Sequence, residues 1–165
     1  MVRTIMILAL ALVFAVAGSP SWLADDGASL PVRMLTYHFF HANIAHLAVN
    51  CIAIWSMFRP GRTDTARCLL LGLLISVLVY PLHLRPIIGI SNMLFAVSGM
   101  RTPALDSAWW KSTNARSFIC IMLFMLPFPQ FSAVTHIASF VLGVLCACAF
   151  RQYYKLMDYA GRYLR

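Results

Sequence analysis

Glutamate is missing from the 165-residue chain, and its acidic residues are five aspartates: Asp25, Asp26, Asp64, Asp106 and Asp158. All five fall in expected loops or near the C-terminal end, so no membrane-embedded carboxylate is available to orient a histidine. Charged residues make up only 11% of the chain, hydrophobic residues 61%, and the mean hydropathy is +0.79. Those values lie outside the range of soluble globular domains and leave no room for a separate soluble unit. The five cysteines (Cys51, Cys68, Cys120, Cys146, Cys148) contain no C-x-x-C pair. An odd set without that spacing argues against a disulfide framework or a metal cluster, and the residues read as small hydrophobes. Internal repeats and low-complexity segments are also absent.

What is present is a series of apolar runs, at about residues 4–23, 34–58, 68–84, 87–100, 118–131 and 132–150. They predict an all-α membrane protein, a bundle of six transmembrane helices forming one domain over residues 1–165. Several runs are shorter than the roughly 20 residues that span a bilayer, so they are expected to be tilted or extended by mildly polar flanks. The last two are split because Pro127 and Pro129 forbid one continuous helix. With both termini cytoplasmic, that side holds Arg3, Arg59, Arg62, Arg67, Arg101, Lys111, Arg116, Arg151, Lys155, Arg162 and Arg165, eleven of thirteen basic residues. Only Arg33 and Arg85 fall outside, as the positive-inside rule requires. Residues 151–165 read as a basic cytoplasmic tail. The net charge of +8 is scattered singly between apolar runs, which points to topology signals and anionic lipid contacts and away from nucleic acid.

The first run has two readings. Arg3, a short apolar core and Ala15-Val-Ala17 before Gly18 resemble a cleaved secretory signal. An uncleaved helix is favoured because apolar character continues through Leu23 and Trp22 suits a membrane interface.

Polar residues at membrane depth carry the functional information, since each is costly in hydrocarbon unless it has a partner or water. The second run contains His41, His46 and Asn50, the fourth begins Gly89-Ile90-Ser91, and the last holds Thr135, His136, Ser139 and Gly143. On a continuous helix His46 and Asn50 stack on one face, with His41 about 140° round. Two donors on one face suit either an oxyanion hole or an interhelical hydrogen-bond cluster; His41 reads mainly as structural. Ser139, Gly143 and Ala147 form a small-residue ridge, and Ala96, Ser98 and Gly99 offer small positions on the fourth run. Close approach of those two helices would let Ser91 meet His136; the alternative reading of Ser91 is a packing serine. Without a carboxylate, any serine hydrolase here must use a Ser–His dyad. Zinc at His41 and His46 is disfavoured, because their i, i+5 spacing lacks H-E-x-x-H.

Taken together, Arg33-x-x-Thr36, His41-x4-His46-x3-Asn50, Gly89-x-Ser91 with Phe95 and Gly99, and His136-x6-Gly143 resemble the rhomboid family of intramembrane serine proteases, in its small six-span bacterial form. The resemblance implies that Ser91 is the nucleophile and His136 the general base and acid. His46 and Asn50, with the Ser91 backbone N–H, match the oxyanion hole, and His41 a buried supporting histidine. Phe95 stands where the family often has a tyrosine against the catalytic imidazole, Gly143 matches a close-packing glycine, and Arg33 and Thr36 fit the first-loop arginine motif. Departures are Asn92 after the nucleophile and Ser139, both where the family usually has glycine, Val32 in place of a tryptophan, and a short first loop.

The expected activity is hydrolysis of a peptide bond in a transmembrane segment of a single-span or multi-span substrate protein. Its setting would be the inner (cytoplasmic) membrane, with the site opening to the extracytoplasmic side and no cofactor or metal implied. Two rivals are a non-proteolytic rhomboid-like protein that binds membrane clients and a small transporter or channel. The absence of inverted repeats argues against the second.

Overall fold

The computed structural model describes residues 1–18, 29–58, 64–82, 88–102, 111, 113–125 and 132–163. Within these the chain is α-helical without strands: α1 Val2–Ala17, α2 Leu30–Thr36, α3 Ile44–Met57, α4 Thr65–Val79, α5 Ser91–Met100, α6 Thr113–Met125 and α7 Ala133–Tyr163. Short 3-10 turns, Tyr37–Phe39 and Tyr80–Leu82, extend α2 and α4. Residues 24–28 of the first loop, 83–86 of the proline-bounded turn, the Pro127–Gln130 break, and Arg59, Arg62, Arg85 and Arg165 lie outside the described residues.

By length and composition, Thr65–Leu82 and Ala133–Tyr159 can each cross a membrane, and Leu30–Phe39 with Ile44–Met57 makes a third if the bent pair counts as one span. The apolar run 34–58 is therefore not one straight helix: its two halves meet at 75°. The break has a local cause. Asn43 is extended (φ −164°, ψ 174°), and its side chain accepts the His46 backbone N–H at 2.8 Å, capping a new helix. Helix α7 runs unbroken for 31 residues, through the last apolar run and on into the basic tail. At 1.5 Å per residue that is about 46 Å, well beyond a hydrocarbon core of about 30 Å. No proline or glycine interrupts it between Gly143 and Gly161, so helical hydrogen bonding continues past the apolar part.

The centre of the molecule is α5, whose residues Asn92–Gly99 are all buried. Its principal neighbours are α7 and α4, and glycines set both approaches. A Cβ on Gly99 would lie 2.1 Å from the Phe140 carbonyl oxygen, and one on Gly143 would lie 2.1 Å from that of Ala96. The α5 and α7 backbones thus touch at two reciprocal points where only glycine fits. On the other flank a Cβ on Gly72 would come within 2.9 Å of Val97 Cγ2.

One end of the bundle gathers cations. The Arg3 guanidinium lies 3.6 Å over the Trp55 ring at the end of α3. Arg101, after α5, pairs with Asp64 at 3.4 Å and donates to the Met57 carbonyl. Arg151 donates to the Thr102 carbonyl at 2.9 Å. Helix α5 separates this end from Ser91 by ten residues, about 15 Å.

Candidate active site

Ser91 is the first residue of α5 and His136 lies in the first turn of α7, so the glycine contacts that pull these helices together also set the distance between the two side chains. His136 Nε2 is 2.8 Å from Ser91 Oγ, and Nδ1 is 2.6 Å from the Ser132 carbonyl oxygen. A carbonyl only accepts, so Nδ1 carries the ring hydrogen and Nε2 presents its lone pair to the Ser91 hydroxyl. The backbone carbonyl of Ser132 thereby does the orienting that a carboxylate performs elsewhere. His136 is buried, and the Phe95 ring meets it edge-on (4.7 Å between centroids, 80°). Phe118 meets Phe95 at 84° and stacks on Phe140, so α5, α6 and α7 all contribute to the aromatic wall beside the imidazole.

His46 and Asn50 project from one face of α3 towards Gly89, two residues before Ser91. A Cβ on Gly89 would lie 2.7 Å from His46 Cε1, 2.9 Å from His46 Nε2 and 3.4 Å from Asn50 Nδ2. Gly89 also has φ +112°, a conformation that L side chains rarely adopt. Asn50 Nδ2 is buried and has no hydrogen-bond partner, which leaves a donor facing the Ser91 side of the bundle. The Ser91 backbone N–H is among the first four of α5, which have no acceptor within the helix.

Gly89→Ala combines a positive φ with a steric collision against His46. We expect it to cost about 1 kcal/mol or more of stability and to displace His46 from Asn50. Thermal unfolding checks this, and an unchanged melting temperature would contradict it.

The remaining sequence candidates have definite places. His41 sits in the break before α3, fully buried, with its ring edge-on to His46 at 5.1 Å; the 140° projection of a continuous helix does not apply. Arg33 is on α2, close enough to Tyr80 for electrostatic interaction, and Thr36 Oγ1 donates to the Val32 carbonyl at 2.7 Å. Asn92 is buried and hydrogen-bonds with Tyr37, while Ser139 Oγ is buried without a partner. Among the described residues no group of three or more His, Cys, Asp or Glu side chains is arranged to hold a metal ion.

Several residues of the site's frame escaped the sequence reading. Tyr37 is the chief one: its carbonyl accepts the Gly89 N–H at 2.8 Å, its hydroxyl donates to the Ser76 carbonyl at 3.0 Å, and its ring packs on Tyr80. His38 Nε2 hydrogen-bonds Ser76 Oγ, a second Ser–His pair. This one is a structural tie, because Ser76 is wholly buried and its hydroxyl has a competing acceptor in the Leu73 carbonyl at 2.8 Å. Asn43 was visible as an N-cap signal three residues before His46; Ser76 and His38 were visible as polar residues in apolar surroundings.

An all-α bundle with spanning apolar helices and a buried polar centre defines a helical membrane protein. Residues 29–153 match the Rhomboid domain, and the chain belongs to the rhomboid family, whose members are generally intramembrane serine proteases. No curated protein sequence matches the chain.

Proposed function

We propose that this protein is an intramembrane serine endopeptidase that cuts transmembrane segments of other membrane proteins with a Ser91–His136 dyad. The observation that carries this reading is the Nε2–Oγ contact of 2.8 Å together with the Ser132 carbonyl on Nδ1, which gives the imidazole the tautomer a general base needs. Ser91 Oγ attacks the scissile carbonyl as His136 takes its proton. The same proton passes to the leaving amine as the acyl-enzyme forms, and water activated by His136 then releases the second product. Asn50 Nδ2, His46 and the Ser91 backbone N–H stabilise the oxyanion, aided by the positive end of α5. Phe95 limits the tilt of the imidazole through its edge-on contact. A helical substrate hides its carbonyls in its own hydrogen bonds, so it must unwind to be cut, and segments with glycine, proline or polar residues are favoured.

The proposed topology has six spans, both termini in the cytoplasm and the site open to the extracytoplasmic side of the inner membrane. The grouping of Arg3, Arg101 and Arg151 at the end remote from Ser91 supports that orientation.

Asn50→Ala removes a donor with no structural partner, so we expect turnover to fall by about 10² to 10³ while the melting temperature changes little. Steady-state cleavage beside thermal unfolding checks this; equal turnover in the folded variant would remove the oxyanion role. The proposal as a whole is tested by reconstituting wild type and Ser91→Ala with a panel of single-span substrates and sequencing the products. Discrete cuts made only by wild type are expected. Intact substrates that nonetheless co-purify with the folded protein would point to client binding instead.

A further inference from the structure

The cation-rich end contains a cavity of about 150 Å³ between the start of α4, the end of α5 and the middle of α7. Its polar lining comes from Arg67, Arg151 and Tyr154, and its apolar lining from Leu71, Met100 and Phe150. Asp64 also borders it, but Arg101 holds that carboxylate at 3.4 Å, so the charges of Arg67 and Arg151 are left uncompensated. Arg151 uses two of its five N–H groups on the Ala147 and Thr102 carbonyls, which fixes the guanidinium and leaves three donors over. Arg67 is held 5.3 Å over the Phe150 ring. The volume far exceeds the roughly 30 Å³ of one water, so a phosphate-sized group fits.

What lies beyond the cavity decides which phosphate. Arg67, Leu71, Leu74 and Leu78 fall within about 60° of one another around α4, and Leu74 and Leu78 are 53% and 61% exposed. This apolar stripe, Leu71 to Leu78, runs about 10 Å from the cavity towards the opposite end of the bundle. A soluble phosphate has no use for it, whereas an acyl chain lies along it naturally.

We propose that this cavity is a binding site for a single anionic phospholipid, the phosphate held by Arg67, Arg151 and the Tyr154 hydroxyl and one acyl chain lying on the Leu71–Leu78 stripe. The cytoplasmic leaflet, where the proposed topology puts this end, carries the anionic lipids. The site is separate from the Ser91 centre, and its test does not depend on proteolysis.

Native mass spectrometry of the purified full-length chain in neutral detergent tests it, with phosphatidylglycerol and phosphatidylcholine of matched chains as probes. Both headgroups carry the phosphate, but the choline cation of phosphatidylcholine is repelled by Arg67 and Arg151, so the expected result is one phosphatidylglycerol retained about tenfold more tightly than phosphatidylcholine. Arg67→Gln should remove that preference. Tyr154→Phe, which deletes only a hydroxyl on an exposed residue, should weaken phosphatidylglycerol retention about threefold, within the range of a neutral hydrogen bond. Arg116→Gln, an equal charge change at an exposed position on α6, should leave it intact. Equal retention of the two lipids would overturn the proposal. So would an Arg116→Gln effect as large as that of Arg67→Gln, or displacement of the lipid by millimolar inorganic phosphate.

Discussion

Gly143→Val is expected to lower the melting temperature sharply and abolish activity at once, although residue 143 touches no substrate. Even a lone Cβ at Gly143 would sit 2.1 Å from the Ala96 carbonyl oxygen, far inside van der Waals contact, and the obstacle is helix backbone that cannot rotate aside. Ordinary overpacking costs about 1–3 kcal/mol. A branched side chain against a backbone carbonyl should exceed that range, a large share of the roughly 5–15 kcal/mol that holds a domain folded. The only relief is to separate α5 from α7, which are the helices that carry Ser91 and His136. Gly99→Ala probes the reciprocal contact with Phe140 and should act in the same direction. Thermal unfolding and cleavage assays in parallel check both variants. A Gly143→Val protein with wild-type melting and turnover would show that the helices do not meet this closely.

His136→Ala is expected to reduce turnover on the order of 10⁴-fold, the upper range for a general base, with Ser91→Ala at least as severe. The double variant should be no worse than Ser91→Ala alone, because a base with no nucleophile to activate contributes nothing. Stability should respond differently. His136 is buried and packed against Phe95, so its truncation leaves a cavity, whereas Ser91→Ala removes one hydroxyl at a partly exposed position. Single-turnover kinetics and thermal unfolding on the three proteins separate the two effects. Additive losses in turnover would contradict the dyad.

These expectations rest on features of unequal visibility in the sequence. The helix positions followed from apolar runs, and the close approach of α5 and α7 followed from small residues at Gly99 and Gly143, because a missing side chain is itself a packing signal. Hydropathy was blind to the 75° bend at residues 40–43, since both arms of the bend are apolar; the N-cap at Asn43 was the local sign. That bend moves His41 off the His46–Asn50 helix and against the His46 ring. Tyr37 could not be read out either. Its part is played largely by its backbone carbonyl, which receives the Gly89 N–H, and sequence says nothing about which carbonyl faces which loop. The same holds for Ser132, whose carbonyl sets the His136 tautomer. The absence of glutamate limits the proposed centre to a serine and a histidine, and the carbonyl that orients the imidazole is a backbone group that no residue type announces.

The central claim is that Ser91 is an activated nucleophile, and labelling with a serine-directed fluorophosphonate, mapped by peptide mass spectrometry on protein in lipid bilayers, tests it most directly. We predict a single adduct on Ser91, lost in His136→Ala, and no adduct on Ser76 despite its hydrogen bond to His38. An unlabelled Ser91 in folded wild-type protein, or labelling that persists without His136, would contradict it.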